Sequence, residues 1–210
     1  FDNFAAIRLQ RQVALLAPRF ANLATAERAY GPSRAFFDAA SRRGTTLGRL
    51  LYADMKTYLV ELLMKQDQMS MAASIESRVP FLDHVLVEFC AGMPDQWKLS
   101  GWKTKRILRE AMKPLVPAVV LNRPKMGFPV PFNAWTSGAW NPVMRDVLLD
   151  RRTRERGIFD SQAVQRLLRE HATGKAQRGD WIWTLFNLEL WFRTSIDRLG
   201  IQTLPAAAGA

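Results

Sequence analysis

Cysteine and histidine are almost absent from this chain. The one cysteine, Cys90, excludes a disulfide framework within the chain and suits a reducing compartment. It sits in Val85-Leu86-Val87-Glu88-Phe89-Cys90, where a packed thiol is expected rather than a nucleophile. His84 and His171 stand alone, and with no Cys/His cluster at zinc spacing no metal site is expected from the chain's own residues. No apolar run approaches the ~20 residues that cross a bilayer, and no charged segment followed by an apolar one opens the chain, so the expectation is a soluble, cytoplasmic protein without a membrane partner. Strand-like alternation and internal repeats are also missing, which leaves helices to carry the fold. The first residue is Phe1 instead of Met, which raises the expectation that upstream residues are not included.

Acidic residues are scarce: 19 Asp and Glu against 30 Lys and Arg give a formal charge of +11. Such an excess can hold phosphate polyanions nonspecifically, so a basic helical nucleic-acid-binding module is one reading. A segment whose acidic partner lies elsewhere is the other. The second is favoured, because the cations are scattered except in Arg151-Arg152-Thr153-Arg154-Glu155-Arg156, a run with no aromatic to stack a base. With 210 residues, 48% of them hydrophobic, one compact unit is expected. The reading is an all-α, irregular helical bundle over residues 1–204 and a frayed tail over 205–210.

Apolar residues between Phe1 and Tyr30 predict an amphipathic helix interrupted at Pro18. Gly31-Pro32-Ser33 reads as a break, with Ser33 capping a short helix to Ala40 that Arg42-Arg43-Gly44 ends. Thr45 or Thr46 opens a long helix to about Ala72, striped by Leu51, Met55, Leu59 and Leu62. Pro80 breaks the path, and Asp83 stands where an N-cap belongs for a helix over 84–91. Asp95 to Trp102 reads as a loop. A further helix is predicted from Lys103 or Thr104 to Lys113, with Lys103, Lys105 and Arg106 crowding its first turn against the macrodipole, an arrangement that suits a shared anion. Asn122 to Pro131 is an ordered loop in which Arg123 and Lys125 either hold an anion or anchor the loop. Helices follow over 141–149, from an Asp160 cap to His171, and over 178–199, the last lying in the core.

The stretch Leu62 to Asp83 differs from a plain core. It sets Lys65, Asp67, Glu76 and Arg78 among Leu62, Met64, Met69, Met71, Ile75 and Val79, which are expected to fill a buried surface, and charges inside such a surface need partners. Its sequence L-L-x-K-x-D-x-M-S-M, then S-x-E-x-R-x-P-F-L-D-H, with T-K-x-I-L at 104–108 and R-x-K-x-G-F at 123–128, resembles the synthetase half of the glutamine-hydrolysing asparagine synthetases. The resemblance implies the C-terminal part of an adenine-nucleotide alpha-hydrolase-like (PP-loop ATP pyrophosphatase) domain. It implies that ATP and Mg, bound mainly by a missing N-terminal part, adenylate the aspartate side chain. Ammonia from glutamine, made by an N-terminal glutaminase domain of the same chain, then displaces AMP. A homodimer stays open, and nucleic acid is not the expected partner.

By this resemblance Lys105 and Glu76 are the catalytic candidates. Lys105 matches the lysine of T-K-x-I-L and would meet the departing pyrophosphate; Glu76 would line the site, with an organising ion pair to Arg78 as its other reading. Arg78, Asp83, Asp67, Lys125 and Arg123 are the substrate- and pyrophosphate-binding candidates. Two departures stand out. Gln66 and Gln68 replace an apolar residue and an arginine that are commoner in the resembling proteins, and no S-G-G-x-D-S phosphate loop exists anywhere in the chain. The segment by itself is therefore expected to be inactive. A related amidotransferase or β-lactam-synthetase-like enzyme with another acceptor is the neighbouring alternative.

Overall fold

The computed structural model describes residues 7–40, 44–124, 126 and 130–202. The chain divides into two units, one formed by residues 1–29 and 128–210, the other by residues 30–127.

The first unit holds α1 (Leu9–Val13), α2 (Pro18–Ala21), α10 (Phe132–Ser137), α11 (Asn141–Leu149), α12 (Arg151–Arg156), α13 (Ser161–Ala172) and α14 (Gly179–Trp191), which runs into a π-helical turn, Phe192–Ile196. Its core follows helical spacing. Val164, Leu167, Leu168 and His171 line one face of α13; Ile182, Leu185, Phe186 and Glu189 line one face of α14; and Met144, Val147 and Leu148 come from α11. Asp150 caps α12 through the Thr153 amide and Asp160 caps α13 through the Ala163 amide. The segment around Leu16 pairs with Phe159: the Ala17 amide donates to the Ile158 carbonyl at 2.8 Å and the Asp160 amide to the Leu15 carbonyl at 2.9 Å. Gly179 admits the close approach of α14 to α10, since a Cβ there would lie 2.6 Å from the Phe132 carbonyl carbon. The π turn ends the last helix earlier than the expected Leu199, and residues 7–30 yield α1, α2 and the start of α3 (Ala26–Ala39) instead of one helix interrupted once.

The second unit contains most of α3 (Ala26–Ala39), then α4 (Thr46–Lys56), α5 (Tyr58–Ala72), a 3-10 turn (Pro80–Leu82), α6 (His84–Gly92), α7 (Asp95–Lys98), a hairpin of β1 (Leu99–Ser100) and β2 (Lys103–Thr104), α8 (Arg106–Met112) and α9 (Ala118–Leu121). The expected break at Gly31-Pro32 is absent. Thr25 caps α3 from upstream, its Oγ1 accepting from the Arg28 amide, and the carbonyl that Pro32 leaves without a donor belongs to the exposed Arg28, where water can take it. Ser33 is mid-helix, while Arg42 and Arg43 lie outside the described residues. Thr45 caps α4 as expected, accepting from the Gly48 amide. The single long helix is in fact two, because Thr57 leaves helical geometry at φ −125°, ψ −80° and its hydroxyl takes the Ala53 carbonyl at 2.7 Å. The expected loop after Asp95 forms α7 and the hairpin, so the fold is mostly helical with one small antiparallel pair.

α5 ends in a Schellman motif: the Ile75 amide donates to the Ser70 carbonyl and the Ser74 amide to the Met71 carbonyl, both at 2.9 Å. The residue that turns the chain is Ser74, at φ +57°. Since a side chain in the left-handed region costs roughly 1 kcal/mol, Ser74→Gly is expected to stabilise the protein by about that amount, read as a higher midpoint in urea unfolding with an unchanged slope. A lower midpoint would mean that the serine side chain holds the turn.

Candidate functional site

The six described candidates fall into two groups, both in the unit of residues 30–127 and all exposed. Asp67, Glu76, Arg78 and Asp83 lie on α5 and the segment leading to α6. The Schellman turn folds residues 75–79 away from the helix, and Gln66 Nε2 ties them back by donating to Ser77 Oγ at 2.6 Å. Glu76 and Arg78 form an ion pair with side chains 68% and 83% exposed. Asp83 serves as the N-cap of α6, its Oδ1 accepting from the Leu86 amide at 3.0 Å. The apolar residues that were to bury this stretch remain exposed, Met69 at 69% and Ile75 at 60% among them, so the charges between them are solvated rather than enclosed. Among the described residues nothing covers that face.

The second group is built around the hairpin. Lys98 Nζ donates to the Ala91 carbonyl at 2.9 Å, tying α7 to the end of α6. Arg106 donates to the Gln96 carbonyl at 3.1 Å, with its guanidinium 5.1 Å from the Trp97 ring centre. Arg109 Nε reaches the Thr104 carbonyl at 3.2 Å and its Nη1 donates to the Leu121 carbonyl, bracing β2 and α9 together. Glu110 bonds Lys113, and that bond, with the nearby charges of Lys113, Arg106 and Lys103, holds its carboxyl below the usual value. Three of the cations in this region are thus spent on backbone carbonyls.

Lys105 is not. It occupies the N-cap of α8 in left-handed geometry, φ 56°, ψ 37°, and among the described residues its side chain has no hydrogen-bond or ion-pair partner. The expected crowding of cations in the first helical turn is corrected accordingly. The helix begins at Arg106, Lys103 belongs to β2, and of the three predicted cations only Arg106 lies in the first turn. Local strain at a lysine whose ammonium is unengaged is the kind of departure that clusters at working sites. Arg123 is exposed and, among the described residues, also lacks a side-chain ion pair; Lys125 lies outside the described residues. Among the described residues no hydrogen bond or ion pair links the two groups.

The basic run at 151–156 has a different use. Arg151 pairs with Glu155, Arg152 with Asp197, Arg154 with the Asp150 carbonyl, and Arg156 with both Glu189 and Asp197. All four cations are engaged locally, by side chains or a backbone carbonyl.

The family model described as asparagine synthase matches residues 3–193. The chain belongs to the asparagine synthase family. Asparagine synthetase [glutamine-hydrolyzing] 1 of Bacillus subtilis is 32% identical over 176 residues, 80% of this chain and 28% of that protein. A putative asparagine synthetase [glutamine-hydrolyzing] of Mycobacterium bovis is 35% identical over 153 residues, 72% of this chain and 23% of that protein. Amidase chry2 of Gibberella zeae is 31% identical over 122 residues, 54% of this chain and 18% of that protein. The chain spans about a quarter of the length of the two synthetases. No solved structure matches. Among the described residues of this asparagine synthase family member, no helix is long and apolar enough to cross a membrane.

Sequence reasoning missed the left-handed backbone at Lys105, for which a lysine gives no signal, and the carbonyl anchors of Arg106 and Arg109. One departure did carry a signal. Gln66, read from sequence as a departure from the resembling proteins, is the side chain that donates to Ser77 beside the Glu76–Arg78 pair.

Proposed function

We propose that this chain is the C-terminal part of a PP-loop-type synthetase domain, and that the whole protein is a cytoplasmic, ATP-dependent asparagine synthetase that takes its nitrogen from glutamine. The observation that carries the reading is Lys105, held on a braced hairpin with its ammonium unengaged. In the proposed reaction a carboxylate oxygen of aspartate attacks the α-phosphorus of ATP, and the bond to the bridging oxygen breaks to release pyrophosphate. Lys105, with Arg123 and Lys125, meets the charge that develops on that leaving group. Ammonia then attacks the acyl carbon and AMP departs. Glu76, oriented by Arg78, offers a carboxylate for the proton that the amine must lose, while Asp67 and Asp83 line and shape the same wall.

ATP and Mg are held mainly by the N-terminal part of the protein in this reading. The chain without that part is inactive in this reading. A glutaminase domain and a homodimer belong to the proposal for the full-length protein.

The test is pyrophosphate release by the full-length protein with ATP, aspartate and either glutamine or ammonia. Release that requires aspartate supports the reading. Release that ignores aspartate but follows another carboxylate moves the protein to a different acceptor, and no release with any carboxylate overturns it.

A further inference from the structure

Ser77 lies between the two residues of the Glu76–Arg78 pair, and its own side chain is turned the other way. Residues 75–79 form no helix, and within them Ser77 is half-buried while Glu76 and Arg78 on either side are exposed. The side that Ser77 takes faces α5. The Ile75 amide donates to the Ser70 carbonyl, and two residues later Ser77 Oγ accepts from Gln66 Nε2 at 2.6 Å. Gln66 precedes Ser70 by one turn on the same face of α5. The chain that leaves the left-handed Ser74 therefore doubles back along that face, held first by a backbone bond and then by a side-chain bond. The second bond sets the register. With Ser77 tied to the helix, Glu76 and Arg78 share the opposite side and pair with each other. A slip of one residue would exchange the sides and turn Glu76 or Arg78 toward α5 in place of Ser77. A methyl group at 77 or an alkyl chain at 66 makes no bond that opposes such a slip.

We propose that Gln66 and Ser77 are positioning residues: their bond fixes the register of residues 75–79 on α5 and so presents the Glu76 carboxylate, paired with Arg78, to the amine that attacks the acyl adenylate. The proposal rests on the reading of Glu76 as the group that takes the proton from that amine. A carboxylate does this only within hydrogen-bond reach, so a segment free to slip holds its base out of place for part of the time. Water then attacks the acyl carbon where ammonia would have done. The bond to AMP breaks as before, but free aspartate is returned and no amide forms. Pyrophosphate has already left by that point in a step that does not use Glu76, so the loss falls on the amide alone.

The experiment measures amide formed per pyrophosphate released by the full-length protein with ATP, aspartate and saturating ammonia, which needs no glutamine hydrolysis. Gln66→Leu and Ser77→Ala are each expected to lower that ratio about fivefold, the scale of one lost hydrogen bond, with pyrophosphate release within about twofold of the wild type. The double variant should match the single ones, and Ser77→Thr, which keeps the hydroxyl, should keep most of the ratio. Glu76→Gln sets the floor, and Gln66→Leu added to it should lower the ratio no further, because a positioning residue has no effect once the group it positions is gone. The proposal alone is overturned if Glu76→Gln loses amide while Gln66→Leu and Ser77→Ala keep it, or if Gln66→Leu lowers the ratio again in the Glu76→Gln background. A fall of pyrophosphate release in step with amide also overturns it and assigns the bond to stability. A wild-type ratio in Glu76→Gln overturns the reading of Glu76 and the proposal with it.

Discussion

Lys105→Ala in the full-length protein is expected to slow pyrophosphate release about 100-fold, close to 2.7 kcal/mol of transition-state stabilisation, with the KM for the acceptor little changed. The backbone supplies the control. Residue 105 is left-handed, so Lys105→Gly removes the same charge while relieving a strain of roughly 1 kcal/mol. The glycine variant should therefore be as inactive as the alanine variant but more stable than the wild type. That pairing separates a chemical role from a structural one, because a lysine that merely held the turn would be improved upon by glycine. Activity that survives both changes while Lys125→Ala abolishes it would pass the pyrophosphate role to Lys125.

The largest stability effect is expected far from those residues, at Arg156. Its guanidinium donates to Glu189 at 2.9 and 3.2 Å and to Asp197 at 2.6 and 3.1 Å, and Glu189 has no exposure to solvent. Arg193 completes the network, reaching Glu189 at 2.9 Å and Asp150 as well. Removing Arg156 leaves a buried carboxylate with half its partners, an event that costs about 3 kcal/mol. For a protein of this size that is a drop of roughly 6–12 °C in melting temperature. Arg78→Ala, which breaks an exposed pair, should cost under about 1 kcal/mol. The pH dependence follows from the same contacts. The Arg156 bond holds the Asp197 carboxyl below its usual value; at Asp150 partial burial works the other way but is outweighed by the Thr153 amide and Arg193. Carboxyls depressed in the folded state contribute stability above their unfolded value, about 3.9 for aspartate, and lose it as pH falls through the lower folded value. Arg156, whose pKa is raised by Asp197 and Glu189, stays charged throughout and adds no loss of its own on acidification. Denaturation midpoints of the wild type should fall steeply below about pH 4, and those of Arg156→Ala more gently. Equal acid slopes would show that the network does not set the acid limit.

The caps were legible because they rest on neighbours in sequence: Thr45, Asp83 and Asp160 each hold an amide three residues on. The 3.6-residue spacing on α11, α13 and α14 was legible for the same reason. The break at Thr57 was not, since threonine serves equally well within a helix or against it. The Arg156–Glu189 contact spans 33 residues and leaves no periodic trace. The central stretch shows a further limit. Its apolar spacing was read as a buried surface, yet those residues are exposed here, because burial depends on what packs against a face and not on the spacing alone, and this chain is about a quarter of the length of the synthetases it matches. The candidate residues came from motif order alone. Their geometry, above all the backbone at Lys105, had to be seen.

The pairing of residues 15–17 with residues 158–160 also sets an order of events during synthesis. The unit of residues 30–127 leaves the ribosome before residues 158–160 are made, so residues 15–17 wait for partners that are translated only after it. Closing that long loop costs entropy that only the later helices repay. Early release of the nascent chain would therefore strand Leu15 and Leu16 unpaired, a form suited to chaperone capture, whereas the hairpin bearing Lys105 would already be in place.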